Sequence, residues 1–180
     1  PQCRAGTFDG GQAGLASGVN LGLQAPQPLL PMHRCDGFAS AEPELDTWLM
    51  RRAYANQLSG ASRTFVVVDA QDAVVGYYAL AAGAVSHQVA TPAVRRNMPD
   101  PVPVMVLARL AVDQRAQGIK LGASLLQDAV KRCALVSEHA GIRAVLVHAL
   151  HERAKQFYEH YGFQASPIHP LTLLLRLQPA

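Results

Sequence analysis

Charge is scarce in this chain. Asp, Glu, Lys and Arg make up 16% of its 180 residues, aromatic residues only 6%. With 49% apolar residues beside so little charge, intrinsic disorder is excluded, because disordered chains combine low hydrophobicity with high charge. The length fits a single domain with enough apolar content for a substantial core. Cysteine is nearly absent: Cys3, Cys35 and Cys133 are far apart. That spacing gives neither a disulfide framework nor a zinc-ligand pattern, and it reads as reduced thiols of a cytoplasmic protein. No run of about 20 apolar residues occurs, so no membrane span is expected. The start lacks the basic region and apolar run of a secretory signal. Histidine is present at seven positions, but around His148 and His151 no cysteine or carboxylate completes a known ligand pattern, so no metal is expected.

The basic residues are lopsided. Arginine outnumbers lysine 13 to 3, the net charge is +3 and the pI about 9.0. The planar guanidinium binds two oxygens at once and suits phosphate. A mild basic excess permits nucleic-acid or coenzyme-phosphate binding without specifying either.

Residues 1–30, rich in Gly, Ala, Gln and Pro, read as a poorly structured lead-in, with a short strand near Gln27–Leu30 the one candidate element. The folded domain is expected over 31–180. Ser40 is a candidate cap for a helix carrying Pro43 in its first turn, with Leu45, Trp48, Leu49 and Arg52 at helical spacing and an end near Ser59-Gly60. Arg63–Val68 and Val74–Ala84 read as a hairpin around a turn at Asp69–Asp72. The proline-rich stretch from His87 to Pro103 reads as a short helix or irregular loop. Val104–Val112, almost continuously apolar, fits a central strand buried on both faces. A helix from about Leu121 to His139 is stopped by Gly141. Its apolar stripe Leu121, Leu125, Leu126, Ala129 and Cys133 is core. A buried strand at Ile142–Ala149, a short helix at His151–Tyr161 and a last strand at Leu171–Leu177 follow. The order implies an α/β or α+β fold, a central mixed β-sheet with helices on both faces.

The informative unit is strand, Gly-containing turn, helix: Val104–Val112, then Asp113 to Gly122, then Ala123-Ser124-Leu125-Leu126. A helix N-terminus offers unpaired N–H groups and a positive dipole end, and small turn residues let phosphate approach the backbone. Alone, such a turn is weak evidence for phosphate binding. It lacks the close Gly-x-Gly pair of a dinucleotide-binding turn, and no acidic residue follows on a second strand end. A second segment lies downstream: Ala154-Lys155-Gln156-Phe157-Tyr158-Glu159-His160-Tyr161-Gly162-Phe163. Together the two resemble the GNAT acetyltransferases, the first their acetyl-CoA pyrophosphate motif Gln/Arg-x-x-Gly-x-Gly/Ala, the second their "A-x-x-F-Y-x-x-x-G-F" signature. Further blocks, "LDTWL", "NQLSGASRTFVVVD", "VVGYYALAAGAV", "RRNMPDPVPVMVLARLAVD" and "LVHAL", extend the resemblance from Phe38 to Leu177. They are similar to one branch, the bacterial type II toxins that acetylate the α-amino group of aminoacyl-tRNA and block translation.

The resemblance implies acetyl-CoA as cosubstrate, with the pantetheine arm along the backbone of Leu110, Ala111 and Val112. It implies a pyrophosphate cradle made by Gln117, Gly118, Ile119, Lys120, Leu121, Gly122 and Ala123, with Phe157 beside it. Tyr158 would be the general acid that protonates the sulfur of leaving CoA. Arg51, Arg52, Arg95 and Arg96 are the candidate tRNA contacts. A ribbon-helix-helix antitoxin and a homodimer are the implied partners. One position departs from the pattern: Lys120 stands where the family's middle glycine is. If that position needs φ > 0, lysine costs about 1 kcal/mol there, which bears on cofactor affinity rather than on the fold.

Acetyl transfer needs a neutral amine, a polarised carbonyl and a proton for the thiolate. An α-amino group, with a pKa near ~8, is appreciably neutral at pH 7, whereas a lysine near ~10.4 is not. The only ionisable side chain on Val104–Val112 is Arg109. The absence of a base there favours a low-pKa amine. Acetylation of a protein or small-molecule amine, and a degenerate domain that only binds, stay open as alternatives.

Overall fold

The computed structural model describes residues 21–178. Cys3 and the first twenty residues of the expected lead-in lie outside the described residues. The short strand expected near Gln27–Leu30 is β1 (Gln27–Pro28), and Leu29 beside it is buried.

Seven strands form one sheet in the order β1-β2-β3-β4-β5-β7-β6. β2 (Arg63–Val68) and β3 (Val74–Val85) are the expected hairpin, and β3 pairs antiparallel with β4 (Val102–Val112). β4 and β5 (Ala144–His148) are parallel, and β5 pairs antiparallel with β7 (Thr172–Arg176), which carries the two-residue β6 (Gln164–Ala165) on its far side. The sheet is therefore mixed, as the element order implies.

Alternation along the strands, reset in β3 by a bulge at Val75, sorts side chains onto two faces. One face, with Val67, Val75, Tyr78, Val145 and Val147, packs on α4 (Leu121–Ser137) through Leu121, Leu125, Leu126, Ala129 and Cys133. Tyr158 and Phe163, from α5 (Glu152–His160) and the turn after it, complete that core. Each fully buried side chain of leucine size contributes about 1.5–3 kcal/mol, so this stripe fixes the pose of α4. The other face, with Val66, Val68, Val74, Tyr77 and Ala111, packs on α1 (Pro43–Trp48) and the residues after it through Leu45, Leu49 and Ala53. Further along that face, Val102, Val104, Ala144 and Leu146 meet Val94 of the short helix α3 (Pro92–Arg95), which lies in the proline-rich stretch.

One local expectation is refined and one corrected. The helix expected from Ser40 to Ser59 runs continuously from Pro43 to Ser59, but its middle widens: α1 passes into a π-helical turn, Leu49–Ala53, then α2 (Tyr54–Ser59), ended by Gly60 at φ 81°. The buried positions Leu45, Leu49 and Ala53 are spaced by four, which overshoots an α-helical turn by about 40° each step. The wider π turn absorbs that drift and keeps the residues on the sheet. Ser40 is also not the cap. Glu42 holds that position, while Ser40 Oγ accepts from the Glu42 N–H at 3.1 Å and donates to Asp46 Oδ1 at 2.5 Å.

Candidate active site

β4 and β5 are zipped over a short length only. Their register runs from Val104↔Ala144 to Leu107↔Val147, after which β5 ends at His148 while β4 continues to Val112. A bulge helps the strands part: Ala79 pairs with Arg109 and Leu80 with Leu107, leaving Ala108 as the extra residue. Beyond it, β4 hydrogen-bonds to β3 on one side. The Asp113 N–H donates to the Val75 carbonyl at 2.9 Å, so by antiparallel alternation Ala111 also turns its backbone groups toward β3. Leu110 and Val112 turn theirs the other way, into the gap that β5 has left.

That gap is a cleft of about 1020 Å³. It is walled by β4 from Val106 to Val112, the turn before α4, the start of α1, and His148, Phe157 and Tyr158. Eleven of the expected site residues meet there: Leu110, Ala111, Val112, Gln117, Gly118, Lys120, Leu121, Gly122, Ala123, Phe157 and Tyr158. Ile119 does not line the cleft and is 56% exposed.

The turn has the features of an anion cradle. Ser124 donates its N–H to the Lys120 carbonyl at 3.2 Å, the first helical bond of α4. The N–H groups of Lys120, Leu121, Gly122 and Ala123 therefore precede the helical ladder, and the positive end of the helix dipole adds to them. At Gly118, φ is +83° and a Cβ would meet nothing within 4 Å, so its backbone is open to a ligand. Gly122 lies against Val112 and Phe157, which gives Phe157 its place at the cradle. The side chain of Gln117 braces the turn, its Nε2 donating to the carbonyls of Ser40 at 3.2 Å and Val112 at 3.1 Å. A pyrophosphate and an amide-bearing arm thus fit the donor set of the turn and the open edge of β4.

Lys120 adopts φ 61°, ψ 26°, the left-handed conformation for which glycine is favoured. Replacing it with glycine removes about 1 kcal/mol of strain. Lys120→Gly is therefore expected to melt higher while binding acetyl-CoA as tightly as before. Melting curves with and without acetyl-CoA check this; a large loss of the ligand-induced shift means that the ammonium itself holds phosphate.

Tyr158 sits deep in the cleft wall, 7% exposed, with its ring packed edge-on against Phe157 and Phe163 at 5.2 and 5.5 Å. Burial pushes its hydroxyl well above the ordinary tyrosine range, so it stays a protonated donor at neutral pH. The arginine candidates lie elsewhere. Arg51 and Arg52 are exposed on the π turn, and Arg96 is exposed at the end of α3. Arg95 is half-buried and donates through Nη1 to the His87 carbonyl at 3.0 Å, so part of its donor set is already taken.

Several residues in and around the cleft carry no local sequence signal. His151 caps α5, its Nδ1 accepting the Ala154 N–H at 3.1 Å; Nε2 then carries the proton and donates to Glu42 Oε1 at 2.8 Å. This bond joins the two lips of the cleft. His148 pairs with Thr172 Oγ1 at 3.0 Å. Asp113, 1% exposed, accepts the N–H groups of Ala39 and Arg115 and the Arg115 Nε, each at 2.9 Å. Arg109 also lines the cleft, from the middle of β4.

Comparison with known proteins bears directly on this site. The acetyltransferase (GNAT) domain family matches residues 61–165. The chain belongs to the GNAT acetyltransferases. This acetyltransferase is also 49% identical over 159 residues to a tRNA-acetylating toxin of Mycobacterium tuberculosis, covering 88% of this chain and 95% of the relative. Among solved structures, its fold is similar to AtaT complexed with acetyl-methionyl-tRNAfMet, with TM-score 0.79 and 23% identity over 86% of this chain and 94% of that one. A mutant of KacT matches with TM-score 0.77 and 23% identity over 85% and 95% of the two chains.

Proposed function

We propose that this acetyltransferase moves the acetyl group of acetyl-CoA onto the free α-amino group of aminoacyl-tRNA and so acts as a toxin that blocks translation. The observation that carries this reading is the 49% identity to a tRNA-acetylating toxin across 88% of the chain. The cleft supports it chemically. Acetyl-CoA supplies the activated acyl group. The backbone of Leu110 and the N–H of Val112 orient the arm, the N–H groups from Gly118 to Ala123 hold the pyrophosphate, and Phe157 packs beside the turn. The neutral amine nitrogen bonds the acetyl carbon and sheds its surplus proton to water, while the Tyr158 hydroxyl gives its proton to the sulfur as the C–S bond breaks and is reprotonated from solvent. No carboxylate or imidazole stands on β4 to deprotonate the amine, which suits an α-amino group already partly neutral at pH 7. Arg51, Arg52, Arg95 and Arg96 contribute phosphate contacts to tRNA. A ribbon-helix-helix antitoxin, a second copy of this chain as homodimer partner, and the cytoplasm, where charged tRNA is, complete the reading.

Labelled acetyl-CoA and a mixed pool of aminoacyl-tRNA test it. Label on the aminoacyl group, released with the amino acid on mild base treatment, is the expected result. Label on proteins or small amines alone moves the assignment to another acceptor. No label and no binding of acetyl-CoA makes the domain a degenerate one.

A further inference from the structure

β4 keeps one face through its bulge. Before it, Val102 and Val104 pack with Val94 of α3, and Val106 lies against the same cluster. After it, Ala111 packs with Leu45 and Leu49 on the α1 side. The unpaired Ala108 resets the alternation, so Arg109 shares that face and stands between the two packed regions. It lies between the segments that carry Arg51 and Arg52 on one side and Arg95 and Arg96 on the other.

Arg109 is the one ionisable residue of β4, and its setting is unusual for a structural arginine. Its guanidinium lies over the ring of Trp48, 5.3 Å from the centroid. Nη1 donates to the Ala108 carbonyl at 2.7 Å, beside the bulge. Nε is buried with no hydrogen-bond partner among the described residues. None of the ion pairs found among the described residues includes it. Buried donors are normally satisfied, and exceptions call for an explanation. A guanidinium that lines a substrate cleft with donors unspent is explained by an acceptor oxygen that arrives with the substrate.

The other charged groups around it are largely engaged. Glu42 is bonded to His151, Asp46 to Ser40, the Tyr77 hydroxyl to the Leu45 carbonyl, and His148 to Thr172. Lys120 and Arg153 line the cleft with the cofactor turn and α5, and Tyr158 and Tyr161 line it from α5 and its end. Glu44, exposed in α1, is the remaining carboxylate of the cleft wall.

We propose that Arg109 binds the aminoacyl end of the acceptor, donating to its ester carbonyl oxygen, and that its positive charge holds the attacking amine in the uncharged form. The inference rests on the aminoacyl-tRNA reading above and adds to it a residue that touches the acceptor. A fixed cation near the amine disfavours ammonium and so extends activity toward lower pH.

Kinetics of the native chain, Arg109→Gln and Arg109→Lys test this. In Arg109→Gln the KM for aminoacyl-tRNA is expected to rise about tenfold or more, while that for acetyl-CoA changes by less than about twofold. The acid limb of kcat moves up by about one pH unit, because the amine now holds its proton more tightly. Arg109→Lys restores the limb through its charge but not the KM, for want of the fork. Trp48, the only tryptophan in the chain, gives a direct readout in the native protein: its emission changes on titration with a 3′-aminoacylamino-3′-deoxyadenosine, a stable analogue of the acceptor end. Unaltered acceptor KM and pH limb in Arg109→Gln overturn the inference. So does an equal loss toward both substrates with a lowered melting temperature, which is the signature of a structural role. If Arg109→Gln does not fold, Arg109→Lys and the Trp48 titration decide, and a silent Trp48 at inhibitory analogue concentrations counts against it. A native chain that leaves aminoacyl-tRNA unlabelled overturns the parent reading and this one together.

Discussion

Tyr158→Phe is expected to bind acetyl-CoA as the native chain does and to turn over about 100- to 10,000-fold more slowly, the range associated with loss of a positioned acid. The substitution removes one hydroxyl and keeps the ring. The ring contributes to the fold through Phe157, Phe163 and the core shared with α4, so melting temperature and secondary structure should hold. Tyr158 lines the cleft, and burial raises the pKa of its hydroxyl above the ordinary tyrosine range. The sign of that shift matters: the donor keeps its proton through neutral and mildly alkaline pH, so activity should show no alkaline fall where an unperturbed tyrosine titrates, near ~10. Isothermal titration with acetyl-CoA separates binding from turnover in the variant. Full turnover in Tyr158→Phe assigns the acid elsewhere.

Asp113→Ala is expected to destabilise the fold by about 3 kcal/mol, since it leaves the backbone N–H groups of Ala39 and Arg115 without their buried acceptor. It should also weaken both substrates. Asp113 holds the Ala39 N–H, while the Gln114 N–H donates to the Ala39 carbonyl and Gln117 to that of Ser40. These bonds stitch the approach to α1 onto the turn before α4, so one residue supports both halves of the cleft. Although burial opposes ionisation, the hydrogen bonds from Arg115 and Ala39 hold the Asp113 carboxyl below the usual aspartate range. A depressed folded-state pKa contributes stability above the unfolded value of about 3.9, lost as pH falls through the folded one. Urea melts at pH 7 and pH 3 check this: the native chain should lose stability between them, and Asp113→Asn should lose less of it. Equal acid sensitivity in Asp113→Asn assigns the acid transition to other carboxylates.

The sequence carries the strands and α4 plainly because their apolar periods are long and local. Val104–Val112 reads as a buried strand; it is a central strand extended by two residues to Val102, mostly buried in its first half and, Ala111 apart, half-buried from Ala108 on. The turn from Gln117 to Ala123 and the Phe157-Tyr158 pair are legible as motifs, and the fold brings them into one cleft. What pattern cannot show is pairing across distance. The Glu42–His151 bond spans 109 positions, and neither residue has a neighbour in sequence that announces it. The bulge at Ala108 depends on β3 as much as on β4, so Arg109 reads as one polar residue in an apolar run. Asp113 reads as a turn residue, because its ligands are set by where Ala39 lands. The π turn is the intermediate case: the spacing of Leu45, Leu49 and Ala53 is visible, but only the sheet beneath decides that the helix yields.

The parted strands have a consequence for how this chain lives among others. A bare strand edge is ordinarily a hazard, since it templates pairing with any exposed strand, and proteins blunt it with charge, proline or brevity. From Leu110 to Val112 the open side of β4 carries neither charge nor proline, being Leu-Ala-Val. Its protection is architectural. The edge is sunk inside the sheet, with the end of β5 and the start of α5 opposite and the Glu42–His151 bond across the lips. A slot of that form admits a thin extended molecule carrying its own amides and excludes the broad edge of another sheet. The cleft thus lets one strand stay uncapped without making the chain adhesive.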